Sequence, residues 1–372
     1  EARLQALNYY GYSDNPLHTG GIQMNYFLGN HSLTVGIQYD YDKLLDKSVA
    51  NAAYYLDETF NNLGVYLQDE ISFGRHDDIQ FVVGVRFDKH STLENWIISP
   101  RINTKYKLFN AFNLRAGFTT GFKAPQIFDE DLHICGLEGT QRVIRNSAGL
   151  KEERSTSYTL GIEFQDFIGD IPLLFGITGF YTKLTDAYTD EFISSDGTIE
   201  FWERINSSGA DVKGIEIDFG IKPVRPLEIR TGFTFKENKY KDEIADFNTK
   251  NFLRTPDLFG YTRISYDFSS SLNAFVSMKY TSEMYVPHEI IVDYQDEPLL
   301  DLKKSSSFLE LDIAVSKKIK LFGDVTSLFS FGIKNLTDAY QKDLDFGATR
   351  DPGYVYGPSI PRTLYFSVGL TL

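Results

Sequence analysis

The chain of 372 residues is poor in cysteine: Cys135 is the only one, so no intrachain disulfide can form. It is equally poor in long apolar runs. No stretch of about 18 apolar residues occurs, which excludes a transmembrane helix, and mean hydropathy is -0.26. Basic residues fall short of acidic ones, and the net charge of -14 argues against a nucleic-acid partner, whose phosphates call for a basic face. A Pro-rich linker, a low-complexity run and any composition break that would mark a second domain are also missing. So are a nucleophile elbow, a Walker loop, a Cys pair and an HExxH zinc motif. The histidines, His18, His31, His76, His90, His133 and His288, are read as lying in turns or loops. No enzyme activity is expected, and no cofactor is implied.

What the chain has instead is an alternation of apolar and polar residues with a period of two, repeated in segments of about ten residues. Leu364, Phe366, Val368, Leu370 and Leu372 share one face, against Tyr365, Ser367, Gly369 and Thr371 on the other. Leu309, Leu311, Ile313 and Val315 alternate in the same way with Glu310, Asp312, Ala314 and Ser316, as do Ile215, Ile217, Phe219 and Ile221 with Glu216, Asp218, Gly220 and Lys222. This is the period of a strand with one greasy and one wet face. In a soluble sandwich the greasy face meets another sheet; in a membrane barrel it meets lipid, and the wet face lines a lumen.

Connection lengths separate the two. Strands are expected at 1–11, 20–28, 32–42, 61–73, 78–89, 96–107, 111–121, 154–165, 171–184, 212–221, 227–237, 258–268, 271–284, 307–318, 326–336 and 362–372. Every second connection is short, such as 29–31, 74–77, 166–170 and 269–270; most of the others are long, such as 43–60, 122–153, 185–211, 238–257, 285–306 and 337–361. Short turns at one rim and long loops at the other describe a transmembrane antiparallel up-and-down β-barrel, an all-β fold. Phe73, Phe109, Phe112, Phe164, Phe167, Tyr266 and Phe268 gather at the short turns, as an aromatic girdle would at a membrane interface.

The segment from Gly117 through Gly121-Phe122-Lys123-Ala124-Pro125-Gln126 to Leu150-Lys151-Glu152-Glu153-Arg154-Ser155 resembles the barrel of TonB-dependent outer-membrane receptors, where such a stretch opens and closes a long surface loop. Val65-Tyr66-Leu67-Gln68-Asp69-Glu70, Val212-Lys213-Gly214-Ile215-Glu216 and Asn335-Leu336-Thr337-Asp338-Ala339-Tyr340 resemble the same family in the same order, and 128–134 and 354–362 resemble its members from the Bacteroidota. The resemblance implies an outer-membrane receptor taking up a scarce nutrient, a metal chelate such as cobalamin, a ferric siderophore or haem. It also implies a TonB complex engaging an N-terminal segment, a plug domain, and about 16 strands here of an expected 22 or so, with residues 1–372 all barrel. Outer-membrane lipid, the nutrient and a surface lipoprotein are the other expected partners. A passive channel without energy coupling is the alternative.

Independently of the family, Gly84, Gly117, Gly161, Gly176, Gly332 and Gly369 fall on the polar rows, either because another backbone approaches or because a closed sheet curves. Loops on a rigid scaffold carry binding function. The acidic runs Asp129, Glu130, Asp131, then Asp293, Asp296, Glu297, Asp301, and Asp343, Asp345 are read either as solvated or as oxygen ligands for a hard cation, so the metal stays undetermined. The candidate ligand contacts are Asp129, Asp131, His133, Phe201, Trp202, Tyr285, Tyr294, Tyr354 and Tyr356, since a mixed aromatic and polar rim suits a large amphipathic molecule.

Overall fold

A computed structural model describes residues 11–48, 55–74, 77–109, 111–127, 141–196, 199–290, 299–323, 325–347, 350–351 and 353–371. The expected strand at 1–11 lies outside the described residues up to Gly11, as does Leu372. The contacts divide into two compact units, one of residues 1–106, 115–158 and 182–211, the other of 107–114, 159–181 and 212–372.

In the first unit the antiparallel strands Leu17–Leu28, His31–Ser48, Tyr55–Phe73, Ile79–His90 and Ile97–Leu108 pair in sequence order. The register aligns Ile37, Val65, Phe87 and Ile98 across four strands, and Val35, Leu67, Val85 and Pro100 beside them. The intervening rows are Gly36, Tyr66, Arg86 and Ser99, then Gln68, Gly84 and Arg101. A slip of one residue would exchange the two faces. Gly29, at φ 57, makes the tight turn between the first pair, a conformation that costs glycine no Cβ clash.

In the second unit Leu227–Ile244, Leu258–Ser269, Leu272–Thr281, Phe308–Phe322, Val325–Lys334 and Thr363–Thr371 pair antiparallel in turn. Their register draws a single apolar row through Ile229, Ile264, Val276, Ile313, Ile333 and Leu364. Facing the other way are Ser316 and Ser330, hydroxyls 2.8 Å apart, and Asp312, which accepts from the Asn335 amide at 2.8 Å.

Among the described residues, neither of the two buried clusters includes a residue of the apolar rows. Ile37 is 46% exposed, Ile98 52%, Leu364 66% and Phe366 65%. Keeping one such side chain in water rather than burying it costs about 1.5–3 kcal/mol. At about half exposure, a dozen of them cost as much as the ~5–15 kcal/mol that holds a domain together. Lipid is the medium that removes this cost. Buried apolar clusters are small and sit at the ends that carry long connections: Leu44, Phe60 and Ile127 in the first unit, Met284, Val286 and Tyr354 in the second. At the short turns Phe112 and Phe164 lie 4.9 Å apart, Tyr266 and Phe268 4.8 Å, and Phe109 is 82% exposed.

Most expected strands are present but longer on the loop side, which corrects the placement of the histidines. His18 and His90 lie on strands because the sheet runs on past the greasy band, where the period of two is no longer visible. His31 opens its strand directly after the tight turn at Gly29, and His288 lies on a short strand of the loop region that pairs only with Leu299–Lys304 among the described residues. Polar-row glycines have a local cause at two positions. A Cβ on Gly332 would stand 2.6 Å from the Tyr365 ring, and one on Gly161 2.7 Å from the Thr178 hydroxyl. The neighbouring strand's side chain occupies the space a Cβ would take, whereas Gly176 and Gly369 meet nothing nearer than 3.8 Å.

Candidate functional site

Two loop assemblies carry the candidate residues, one in each unit. In the first, Tyr188–Ser195 pairs antiparallel with Ile199–Asn206, which pairs parallel with Gln141–Asn146. Phe192 stands opposite Trp202 in this small sheet, and their rings meet edge to face at 5.4 Å. Phe201 and Trp202 are consecutive, so their side chains leave on opposite faces. The Trp202 indole N–H donates to Glu200 Oε2 at 3.0 Å.

The sheet is anchored beneath by Arg204, whose buried guanidinium donates to Asp190 at 3.1 Å and to the Gln126 carbonyl. Tyr188 fastens it to the strand ends: its hydroxyl donates to the Lys123 carbonyl at 2.7 Å, and its amide donates to the Glu153 carboxylate at 3.2 Å. Burial, chiefly, pushes the Tyr188 hydroxyl well above its ordinary pKa. Both partners belong to the family-like stretches around 121–126 and 150–155, so those motifs form the base on which the loop sheet stands. A cavity of about 590 Å³ opens beside it, lined by Tyr55, Asp57, Phe60, Ile127, Ile144 and Asn146 among others.

In the second unit Tyr285–Ile290 and Leu299–Lys304 form a hairpin that packs on the 341–356 segment. His288 Nε2 lies 2.7 Å from Asp345 Oδ2, and its ring stacks on Tyr354 at 4.0 Å. The Tyr354 and Tyr356 hydroxyls both donate to the Asp343 carboxylate, at 2.6 and 2.5 Å. Gln341 clamps the backbone between them, donating to the Tyr354 carbonyl and accepting from the Tyr356 amide. Asp351 accepts from the amides of Glu289 and Gly353.

Burial pushes Asp343 up, but the two tyrosine hydroxyls outweigh it and hold the carboxyl below its ordinary range. Asp345 is likewise lowered, its burial overcome by His288 and the Asp351 amide. Burial and Asp343 push Tyr356 up to about 12. No group of three or more metal-ligating side chains is found among the described residues.

The structure therefore brings Tyr354 and Tyr356 together and sets them with His288, Asp343 and Asp345. Tyr354 is 1% exposed, spent on Asp343 and Tyr356 of its own segment and on His288, Met284 and Val286 beside it; Tyr356 is half-buried. Tyr285, at the hairpin base, borders a separate cavity of about 410 Å³. Phe201 and Trp202 belong to the other unit. Asp129, Asp131, His133 and Tyr294, with Glu130, Cys135, Asp293, Asp296 and Glu297, lie outside the described residues. His288, Gln341 and Arg204 hold these assemblies without being candidate contacts; their polar type at loop positions was the available signal, and it does not distinguish an anchor from a solvated side chain.

Long antiparallel strands with one unpartnered apolar face, one polar face, aromatic residues at the short turns and structured long loops define an outer-membrane β-barrel. The chain belongs to the family of TonB dependent receptor-like β-barrels, whose description matches residues 2–336, and its place is the outer membrane. It is similar to the vitamin B12 transporter BtuB of Vibrio vulnificus, 29% identical over 154 residues covering 40% of this chain and 22% of that one. It is also similar to the probable TonB-dependent siderophore receptor PirA of Acinetobacter baumannii, 27% identical over 183 residues, 42% of this chain and 24% of that one. The matches thus take in under a quarter of these relatives' lengths. Among solved structures, the Pseudomonas aeruginosa ferric enterobactin receptor PfeA mutant in complex with enterobactin has the same fold, with a TM-score of 0.71 at 17% identity over 96% of this chain and 54% of that one.

Proposed function

We propose that the chain is part of a receptor that takes up a metal chelate, such as cobalamin, a ferric siderophore or haem, across the outer membrane with energy delivered through TonB. The observation that carries this reading is the family match over residues 2–336, joined to relatives described as a vitamin B12 transporter and a siderophore receptor. The strands supply walls and the loop assemblies a rim. The protein binds and admits its cargo without making or breaking covalent bonds. A TonB complex and a surface lipoprotein are the protein partners of this reading.

The test is growth of a strain lacking the gene on limiting cobalamin, and on limiting iron with a panel of siderophores or haem. A defect relieved by excess of one nutrient, and reproduced by deleting TonB, is the expected result. Uptake that persists without TonB would instead make the protein a passive channel.

A further inference from the structure

The outward face of the first unit carries a carboxylate and an imidazole among its apolar side chains. Next to the row of Val35, Leu67, Val85 and Pro100, on its short-turn side, runs the row of Tyr26, Leu33, Asp69, Val83 and Ile102. Asp69 belongs to the family-like stretch 65–70 and shares its face with Val65 and Leu67, because alternate side chains of a strand point the same way. His31 shares that face with Leu33. It stands directly opposite Ile71 and so diagonally across from Asp69, and its Nδ1 lies 2.7 Å from Asp69 Oδ2. An ionisable side chain turned toward lipid is costly and points to function; here two of them meet.

Their depth is that of the headgroups. Tyr26, in the row of Asp69, is exposed, as are Phe73 and Tyr106 two outward rows nearer the rim. The rings of Phe73 and Phe81 meet edge to face at 6.1 Å. Aromatic residues collect in this way where hydrocarbon gives way to water, and the rim with short turns faces the periplasm. The rows through Val35 and Ile37 lie on the other side of the pair, at the depth of acyl chains.

An ionised carboxylate only accepts hydrogen bonds, so the His31 nitrogen that faces Asp69 carries the proton and donates to it. That leaves Nε2, on the far side of a ring 46% exposed, as an acceptor with a negative charge behind it. The rest of its row, Leu28, Ile71, Phe81 and Thr104, is uncharged. A cationic N–H donor complements this arrangement, since a hydrogen bond gains strength when its donor is charged. A quaternary ammonium has no N–H to give, and an anionic headgroup meets the Asp69 charge.

We infer that His31 and Asp69 form a binding site for a phospholipid headgroup bearing a primary ammonium, which donates to His31 Nε2 while the acyl chains lie along Leu33, Val35 and Leu67. The site is on the wall and not in the lumen, so it is independent of which nutrient the protein takes up.

The test is binding of short-chain phosphatidylethanolamine, phosphatidylcholine and phosphatidylglycerol to the full-length receptor in detergent, titrated by native mass spectrometry, for the wild type, His31→Phe and Asp69→Asn. Heat-shifted gel mobility reports the folded barrel, and Asp69→Asn carries the comparison if His31→Phe does not fold. The expected result is wild-type affinity about threefold to tenfold higher for phosphatidylethanolamine than for the other two, from one hydrogen bond. His31→Phe should bind all three alike, and Asp69→Asn, which removes the charge behind the ring, should lose most of the preference. Equal affinity of the wild type for the three lipids would mean that His31 meets only water and would overturn the site. So would a preference for phosphatidylglycerol, or a preference for phosphatidylethanolamine that the variants retain in full.

Discussion

Single side chains explain why the family-like stretches have the sequences they do. Asn335 sits at φ 48, a left-handed conformation that Asn tolerates better than most residues. Its buried side chain accepts from the Ala339 amide and donates to the Ile360 carbonyl, both at 2.8 Å. Asn335→Ala should lose both bonds and the conformational fit, lowering stability by about 2 kcal/mol or more in urea unfolding from lipid vesicles. Asp312 would not be a silent position either: removing its carboxylate leaves the Asn335 amide without this acceptor, so Asp312→Ala should cost about 1–3 kcal/mol in the same assay.

Gly36 makes a third case, because its missing Cβ is where the Tyr66 ring lies. Gly36→Val should destabilise by roughly 1–3 kcal/mol through overpacking. Gly20→Ala should be neutral or slightly stabilising, since nothing stands within 4 Å of its Cβ position. Equal midpoints for the two glycine variants would remove the packing explanation.

At the scale of elements, the strand faces and the loop clusters respond to different perturbations. Ile37 lies six residues beyond the His31 end of its strand and faces outward, near the middle of the apolar band. Ile37→Arg should cost about 2–4 kcal/mol when folding is measured in lipid, and Gln38→Arg, on the wet face, much less. The hairpin cluster around His288 responds instead to pH. Asp343 and Asp345 are lowered from an ordinary 3.8, so their contribution is complete above about that pH and is lost as pH falls through the folded values. Tyr356 is raised from 10.0 to about 12, so its contribution is complete below about 10 and is lost as pH rises toward 12. Protease sensitivity of the 285–304 hairpin should therefore be flat between about pH 4 and 10 and increase outside that window.

The elements also show where the sequence was legible. The strand Thr363–Thr371 was readable almost to its ends because Leu364, Phe366, Val368 and Leu370 alternate with Tyr365, Ser367, Gly369 and Thr371 throughout. Tyr285–Ile290 and Ile199–Asn206 fell inside expected loops: their pattern, Tyr-Val-Pro-His-Glu-Ile or Ile-Glu-Phe-Trp-Glu-Arg-Ile-Asn, follows a local packing partner and no membrane band.

At the scale of the molecule, the expectation is a protein that leaves the membrane only in detergent and whose loss limits growth on one nutrient. What the sequence determined by itself is the sheet: strand order, the two faces, the alternation of short and long connections, and the outer-membrane class. These follow from a period of two and from the lipid on one side, both of which are local and repeat along the chain. The candidate contacts were only partly legible. Tyr354 and Trp202 were marked by ring type, yet one is spent on stacking with His288 and the other half-exposed against Phe192, and a ring's composition does not distinguish these. Only the tertiary structure decided that Asp343 serves two tyrosines 11 and 13 residues away. Such juxtapositions depend on how loops distant in sequence pack at the strand ends, where no repeating pattern constrains them.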